Sequence, residues 1–332
     1  MFRYLFLLTY LISFSQIQGQ QLVQQSEELK LMGTRFVITA TAIDESTAWK
    51  AIQTAIDEIS RIEKLISSWD PNSQTSAINR AAGQQPVKVS SELYDLIARS
   101  KKISELTSGA FDISFASMSH LYTFDRKERP LPDDKLIERT QSRVDWNKII
   151  LNPELQSVYL EDEGMKIGFG AIGKGYAANM AQKAMQKIEG VKGGIINASG
   201  DLSVWGMINQ DQTAWTIKIA DPKDINKAMA TLDVENTSVV TSGDYEQYFT
   251  SGGKRFSHII DPQSGIPTTG IKSVTIVCDD AEIGDALATA TFVLGVENGL
   301  YLINKLKGVE VIIVTDEDQL ITSENIHLNY LK

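Results

Sequence analysis

The sequence predicts an α+β fold: a single layered domain of mixed, largely antiparallel sheets with packed helices. Three observations lead there. Strand-like segments come in clusters rather than in strict alternation with helices, which disfavours a doubly wound parallel sheet. Long stretches carry apolar residues at three-four spacing, the mark of helices with one buried face. Across 332 residues there is no Pro- or Ser-rich linker, internal repeat or low-complexity tract, and that length supports a sizeable core.

The elements follow in order. MFRYLFLLTYLISFSQIQGQQ has one Arg, an apolar run from Tyr4 to Phe14 and then polar residues with Gly19. This is the pattern of a cleaved signal peptide over residues 1–20, followed by a polar QQLVQQSEELK, and it predicts an exported, periplasmic protein. No cysteine lies near the cleavage point, so no lipid anchor is expected there. No second run long enough to cross a membrane is expected beyond residue 20.

RFVITATA (35–42) alternates as a strand. Ala48, Ile52, Ala55, Ile59, Ile62 and Ile66 stripe a strong amphipathic helix, and SSELYDLIARSKKISELTSG, opened by Ser and closed by Gly109, gives a second. KIILN, SVYLED and MKIGF read as short strands. The glycine-rich turn GFGAIGKG (168–175) leads into a helix striped by Ala177, Met180, Ala184 and Ile188. GGIINASGDLSVWG, AWTIKIADP, SVVTSGDY, FSHIIDP, SVTIVC and VEVIIVTD supply further strands. IGDALATATFVLGV (283–296) is helical, with Ile283, Leu287, Ala290 and Leu294 along one side.

Charge and composition exclude several functions. A net charge of −10 argues against nucleic acid as a partner. Cys278 is the only cysteine, so neither an internal disulfide nor a cysteine-based metal site is possible. Three histidines, His120, His258 and His327, make a His/Cys zinc site improbable.

The carboxylate inside an otherwise uncharged helix is the sharpest anomaly, because an ionised group out of water needs a partner. Asp285 and Thr289 are four apart and share a face. One carboxylate and one hydroxyl among small residues suit a hard cation such as Mg²⁺. The alternative is a carboxylate near a helix start, favoured by the dipole and capping backbone N–H groups. GFGAIGKG with Lys174 could cradle phosphate or simply make a tight turn; it is neither a P-loop nor a dinucleotide fingerprint. His258 could be a general base or a buried core residue. NASGDLSVWG and TSGDY could offer turn amides to a ligand, or serve structure alone.

Together the motifs MGTRF (32–36), SSWDPNSQTSAIN (67–79), SGAFDIS (108–114), GAIGKGYA (170–177), NASGDLSVWG (197–206), TSGDYEQYF (241–249), SHIIDPQSGIP (257–267) and GDALATATFVLG (284–295) resemble the ApbE family of FAD:protein FMN transferases. The resemblance spans residues 21–332 and implies an ApbE-like, T-fold-related domain. It implies FAD as substrate, Mg²⁺ at its pyrophosphate, and transfer of FMN through a phosphoester bond to a Thr, sometimes a Ser, with AMP released. By motif, the Mg²⁺ ligands would be Asp285, Thr289 and the carbonyl of Ala171. The FAD contacts would include Met32, Trp69, Ala110, Phe111, Asp112, Lys174, His258 and Ile259, with His258 and Asp285 catalytic. Implied acceptors are flavoprotein subunits of membrane redox complexes, of the Na⁺-translocating NADH:quinone reductase or Rnf type. At Gly168 the chain departs from the family, whose members commonly carry an acidic residue there. Two rival functions use the same site: an FAD pyrophosphatase giving FMN and AMP, and an exported FAD-binding protein that does no chemistry.

Overall fold

A computed structural model of the chain describes residues 21–221, 224–244 and 247–331; the predicted signal peptide lies outside them. The centre is an eight-stranded sheet: β1 (Val23–Leu31), β2 (Thr34–Ala42), β3 (Val191–Ala198), β4 (Asp201–Gly206), β5 (Ser238–Gly243), β6 (Ile271–Cys278), β7 (Val309–Thr315) and β8 (Leu320–Thr322). Spatial order equals chain order, and every neighbouring pair is antiparallel. The predicted α+β class with largely antiparallel pairing is what the structure shows.

Complexity resides in the connections. Between β2 and β3 run α1 (Glu45–Ile66), α2 (Gln74–Arg80), α3 (Ser91–Leu106), α4 (Asp134–Gln141) and α5 (Gly173–Gln186), and α6 (Ala281–Ile303) links β6 to β7. α1 starts where the Asp44 carboxylate accepts the Thr47 N–H at 2.7 Å. Its predicted stripe, Ala48 to Ile66, is buried throughout. α1, α5 and α6 cover one sheet face, where Phe36, Ile38, Ile196, Val274 and Ile276 meet Ile59, Ala178 and Leu287. The other face packs Val204, Val239 and Ile312 against a hairpin of Trp215–Asp221 and Asp224–Val234. A third apolar cluster joins Met118, Tyr122 and Ile137 to the Tyr248–Ser251/Lys254–Ser257 hairpin through Phe249 and Phe256.

Several sequence expectations are corrected. MKIGF forms no strand: Met165, Ile167 and Phe169 are buried in an irregular segment, where one-sided apolar alternation arises without sheet pairing. FSHIIDP contributes only its first two residues to a strand, which ends at Ser257. β1 was not expected, because VQQSEELKL is polar; it is an edge strand whose residues alternate between half-buried and exposed. On α5 the buried face is Ala177, Ala178, Ala181 and Met185, rotated from the predicted stripe. Ile283 is 42% exposed, and α6 is instead buried along Ala286, Leu287, Ala288, Ala290 and Phe292. α6 also continues beyond the predicted end, across a break at Gly295 (φ 76°). By length and composition it could cross a bilayer, contrary to expectation, but here it packs beside α5 and on the sheet.

Candidate functional site

The site grows from the N-terminus of α5. The residue at its N-cap position, Ile172, has no side-chain oxygen to satisfy the first-turn N–H groups. One of them is satisfied by a different helix: Gly175 N–H donates to Asp285 Oδ2 at 3.0 Å. This contact requires glycine. A Cβ on Gly175 would lie 2.0 Å from the Ala281 carbonyl oxygen and 2.9 Å from Asp285 Cβ. Asp285 is not the cap of its own helix; Asp280 is, accepting the Ile283 N–H at 3.0 Å. The buried acid therefore does bind a helix start, as one of the two sequence readings held, but the start is that of α5.

Lys174 stands beside it, with Nζ 4.0 Å from Asp285 Oδ1. The same ammonium forms an ion pair with Asp201 Oδ2. Asp201 is fully buried and heads β4, placed there by a two-residue turn, Ser199 (φ 55°) and Gly200 (φ 105°). Its Oδ1 accepts the Thr241 N–H from β5 at 3.2 Å. Burial pushes the Asp201 carboxyl up, the Lys174 charge works against that, and the Asp285 charge adds to the rise. Within NASGDLSVWG the sequence offers no signal for Asp201: an Asp after a Gly turn is common to exposed loops, and burial is what distinguishes it.

His258 follows the Lys254–Ser257 strand. Its backbone N–H donates to the Gln247 carbonyl at 3.0 Å, and Phe124 stands edge-on to the imidazole at 6.4 Å. Nδ1 is buried with no hydrogen-bond partner among the described residues. Burial, and then the nearby Lys174 charge, hold the imidazole below its ordinary pKa, which favours the neutral form. A second unassigned acid, Asp244 of TSGDY, supports this region. It pairs with Arg255 at 2.9 Å, and the Arg255 guanidinium lies 3.8 Å over the Tyr248 ring.

Of the remaining predicted positions, Met32 lies against the glycine-rich turn. Gly173 faces the Met32 side chain, whose Cε would lie 3.7 Å from a Cβ there; Met32 itself has φ 49°. Gly168 N–H donates to the Ile113 carbonyl at 2.9 Å, and its α-carbon packs on Ala116 with Ser68 nearby. A Cβ at Gly168 would meet that of Ala116 at 3.0 Å, so this turn has little space for a larger side chain. Trp69, next to Ser68, is 89% exposed, a flat apolar surface beside the turn. Ala110 and Phe111 are core residues. Asp112 spends both oxygens internally, accepting from Ser114 N and Oγ at 2.7 Å and from Trp146 N at 2.9 Å. Burial raises it to about 6, so its side chain serves the local fold. Ile259 is buried, with its carbonyl accepting from Thr268 N at 2.8 Å.

The donor set suits a hard cation. Asp285 Oδ2 is engaged by Gly175, leaving Oδ1 turned toward Lys174 beyond hydrogen-bonding distance. Thr289 is half-buried one turn along α6, and Ala171 lies in the turn before α5. These are oxygen donors with a single carboxylate, the set that leaves a magnesium ion several waters. Among the described residues no group of three or more His, Cys, Asp or Glu side chains is arranged to hold a metal.

The ApbE family model matches residues 32–313. The chain belongs to the ApbE family. An FAD:protein FMN transferase of Klebsiella pneumoniae is 32% identical over 302 residues, covering 90% of this chain and 92% of the relative. One from Treponema pallidum is 29% identical over 295 residues, covering 83% and 81%. Among solved structures, the ApbE protein of Thermotoga maritima superposes with a TM-score of 0.82 at 27% identity, covering 91% of this chain and 97% of that one. The flavinyl transferase ApbE of Pseudomonas stutzeri shares the fold, with a TM-score of 0.79 at 23% identity and coverage of 91% and 95%.

Proposed function

We propose that the chain moves the FMN half of FAD onto the hydroxyl of a Thr or Ser in an exported protein, with a divalent cation held at Asp285. Its standing as a flavin transferase rests on its family membership. The observation that carries the finer reading is the α5 N-terminus, where Asp285, Lys174 and the glycine turn converge.

In this reading Asp285 Oδ1, the Thr289 hydroxyl and the Ala171 carbonyl hold Mg²⁺. When bound, the cation neutralises charge on the diphosphate and on departing AMP. Lys174 and first-turn N–H groups of α5 face the same phosphates, adding positive potential where the transition state is most negative. The acceptor oxygen forms a bond to the FMN-side phosphorus as the bond from that phosphorus to the bridging oxygen breaks. Neutral His258, whose Nδ1 lacks a partner among the described residues, takes the acceptor's proton. Trp69 offers a face for a flavin or adenine ring. Export, a periplasmic location and acceptors in membrane redox complexes belong to this same proposal.

The test is to incubate the protein with FAD, Mg²⁺ and a peptide bearing a target Thr, then weigh the products. A peptide heavier by FMN, with AMP released, supports transfer. Free FMN and AMP with an unmodified peptide would convert the reading to FAD hydrolysis, and recovery of intact FAD would leave a carrier.

A further inference from the structure

We propose that Asp201 is a positioning residue for Lys174, holding its ammonium clear of Asp285 so that the Asp285 oxygen stays open to a divalent cation. The inference rests on the reading of Asp285 as a cation ligand.

Lys174 stands between two buried carboxylates, in contact with Asp201 and 4.0 Å from Asp285 Oδ1. The two acids are held differently. Asp201 is fixed in the sheet, with Oδ1 on Thr241 N and Oδ2 on the lysine. Asp285 is pinned through Oδ2 by Gly175 N, so it cannot turn its other oxygen away. Oδ1 is then the atom that both an ammonium and a metal ion would take. The lysine has a flexible stem and a side chain 31% exposed, and Asp285 Oδ1 lies within a short reach of its ammonium. Two cations cannot share one oxygen at contact distance. Asp201 settles the competition by binding the ammonium more closely.

If Asp201 loses its charge, Asp285 becomes the stronger pole for Lys174, and the lysine takes the oxygen meant for the metal. This differs from a general loss of negative potential, because the whole deficit should vanish once the lysine is removed. A double-mutant cycle separates the two.

Mn²⁺ alone is titrated into the full chain and the free ion followed by electron paramagnetic resonance, for the unaltered protein, Asp201→Asn, Lys174→Met and the double variant. The expected result is that Asp201→Asn weakens Mn²⁺ binding about tenfold, while Lys174→Met alone changes it less than about threefold. In the double variant affinity returns to within about threefold of the unaltered protein. Equal effects of Lys174→Met in both backgrounds, meaning simple additivity, overturn the proposal. So does an Asp201→Asn loss that the second substitution leaves uncorrected, the pattern of a folding defect. Asp285→Ala keeps the two failures apart. If it abolishes binding while the cycle is additive, only the role of Asp201 falls. If it leaves binding intact, or the unaltered protein takes up no Mn²⁺, the cation reading falls and this inference with it.

Discussion

Replacing Gly175 with Ala tests the joint between α5 and α6 on which the whole site depends. The added methyl would lie 2.0 Å from the Ala281 oxygen and 2.6 Å from its carbonyl carbon, both backbone atoms. Real contacts rarely fall below about 3 Å, so the helices must separate by about 1 Å. Forcing a methyl into packed backbone costs about 1–3 kcal/mol. The same separation lengthens the Gly175 N–H bond to Asp285, and a hydrogen bond to a buried carboxylate is worth about 1.5–3 kcal/mol. Together the loss should be about 2.5–6 kcal/mol, a large share of the ~5–15 kcal/mol of a typical domain. Urea unfolding read by circular dichroism measures it as a fall in the midpoint at unchanged slope. Gly168→Ala is the control, since its methyl would only press on the Ala116 side chain at 3.0 Å, at a cost near the low end of about 1–3 kcal/mol and with no hydrogen bond to a carboxylate lost. If Gly175→Ala costs no more than Gly168→Ala, the close approach of the two helices is not what positions Asp285.

Asp285→Ala should lower cation-dependent flavin transfer by about 10²-fold or more, measured as labelled peptide per minute at saturating FAD; transfer within tenfold of the unaltered rate would remove Asp285 from the chemistry. The His258 imidazole is held below its ordinary 6.5, so as a base it is neutral at pH 7. The transfer rate should be level above that pH and fall only as pH drops through the depressed value, and in His258→Ala this acid limb should disappear along with most of the rate. Asp112, raised to about 6 from 3.8 by burial, contributes stability that is complete below pH 3.8 and lost as pH rises through 6. Asp112→Asn should flatten that limb by about 3 kcal/mol between pH 3.5 and 7, read from urea midpoints; an unchanged pH slope would show the carboxyl to be solvated.

Much of the architecture was legible because local periodicity reports burial. The stripe from Ala48 to Ile66 identified α1 and its inward face together. Where periodicity was absent or ambiguous the reading slipped. β1 is polar because an edge strand needs no apolar face, and MKIGF alternates without pairing. α6 is buried on most sides, which blurs any single stripe. At the site, Asp285 stood out as a charge inside an apolar helix, and Lys174 as a cation in a glycine-rich turn. Asp201 and Asp244 did not, because Gly-Asp pairs occur in any surface turn.

The sequence by itself determined the α+β class, the main helices, the one charge in the apolar stretch 283–296 and, through the order of its motifs, the family. Only the tertiary structure decided what that acid binds. Asp285 and Gly175 lie 110 residues apart along the chain, and their meeting depends on α5 and α6 packing side by side over the sheet. Spacing along a chain governs which residues share a face. Which faces then meet is set by the packing of whole elements, and no local pattern encodes that.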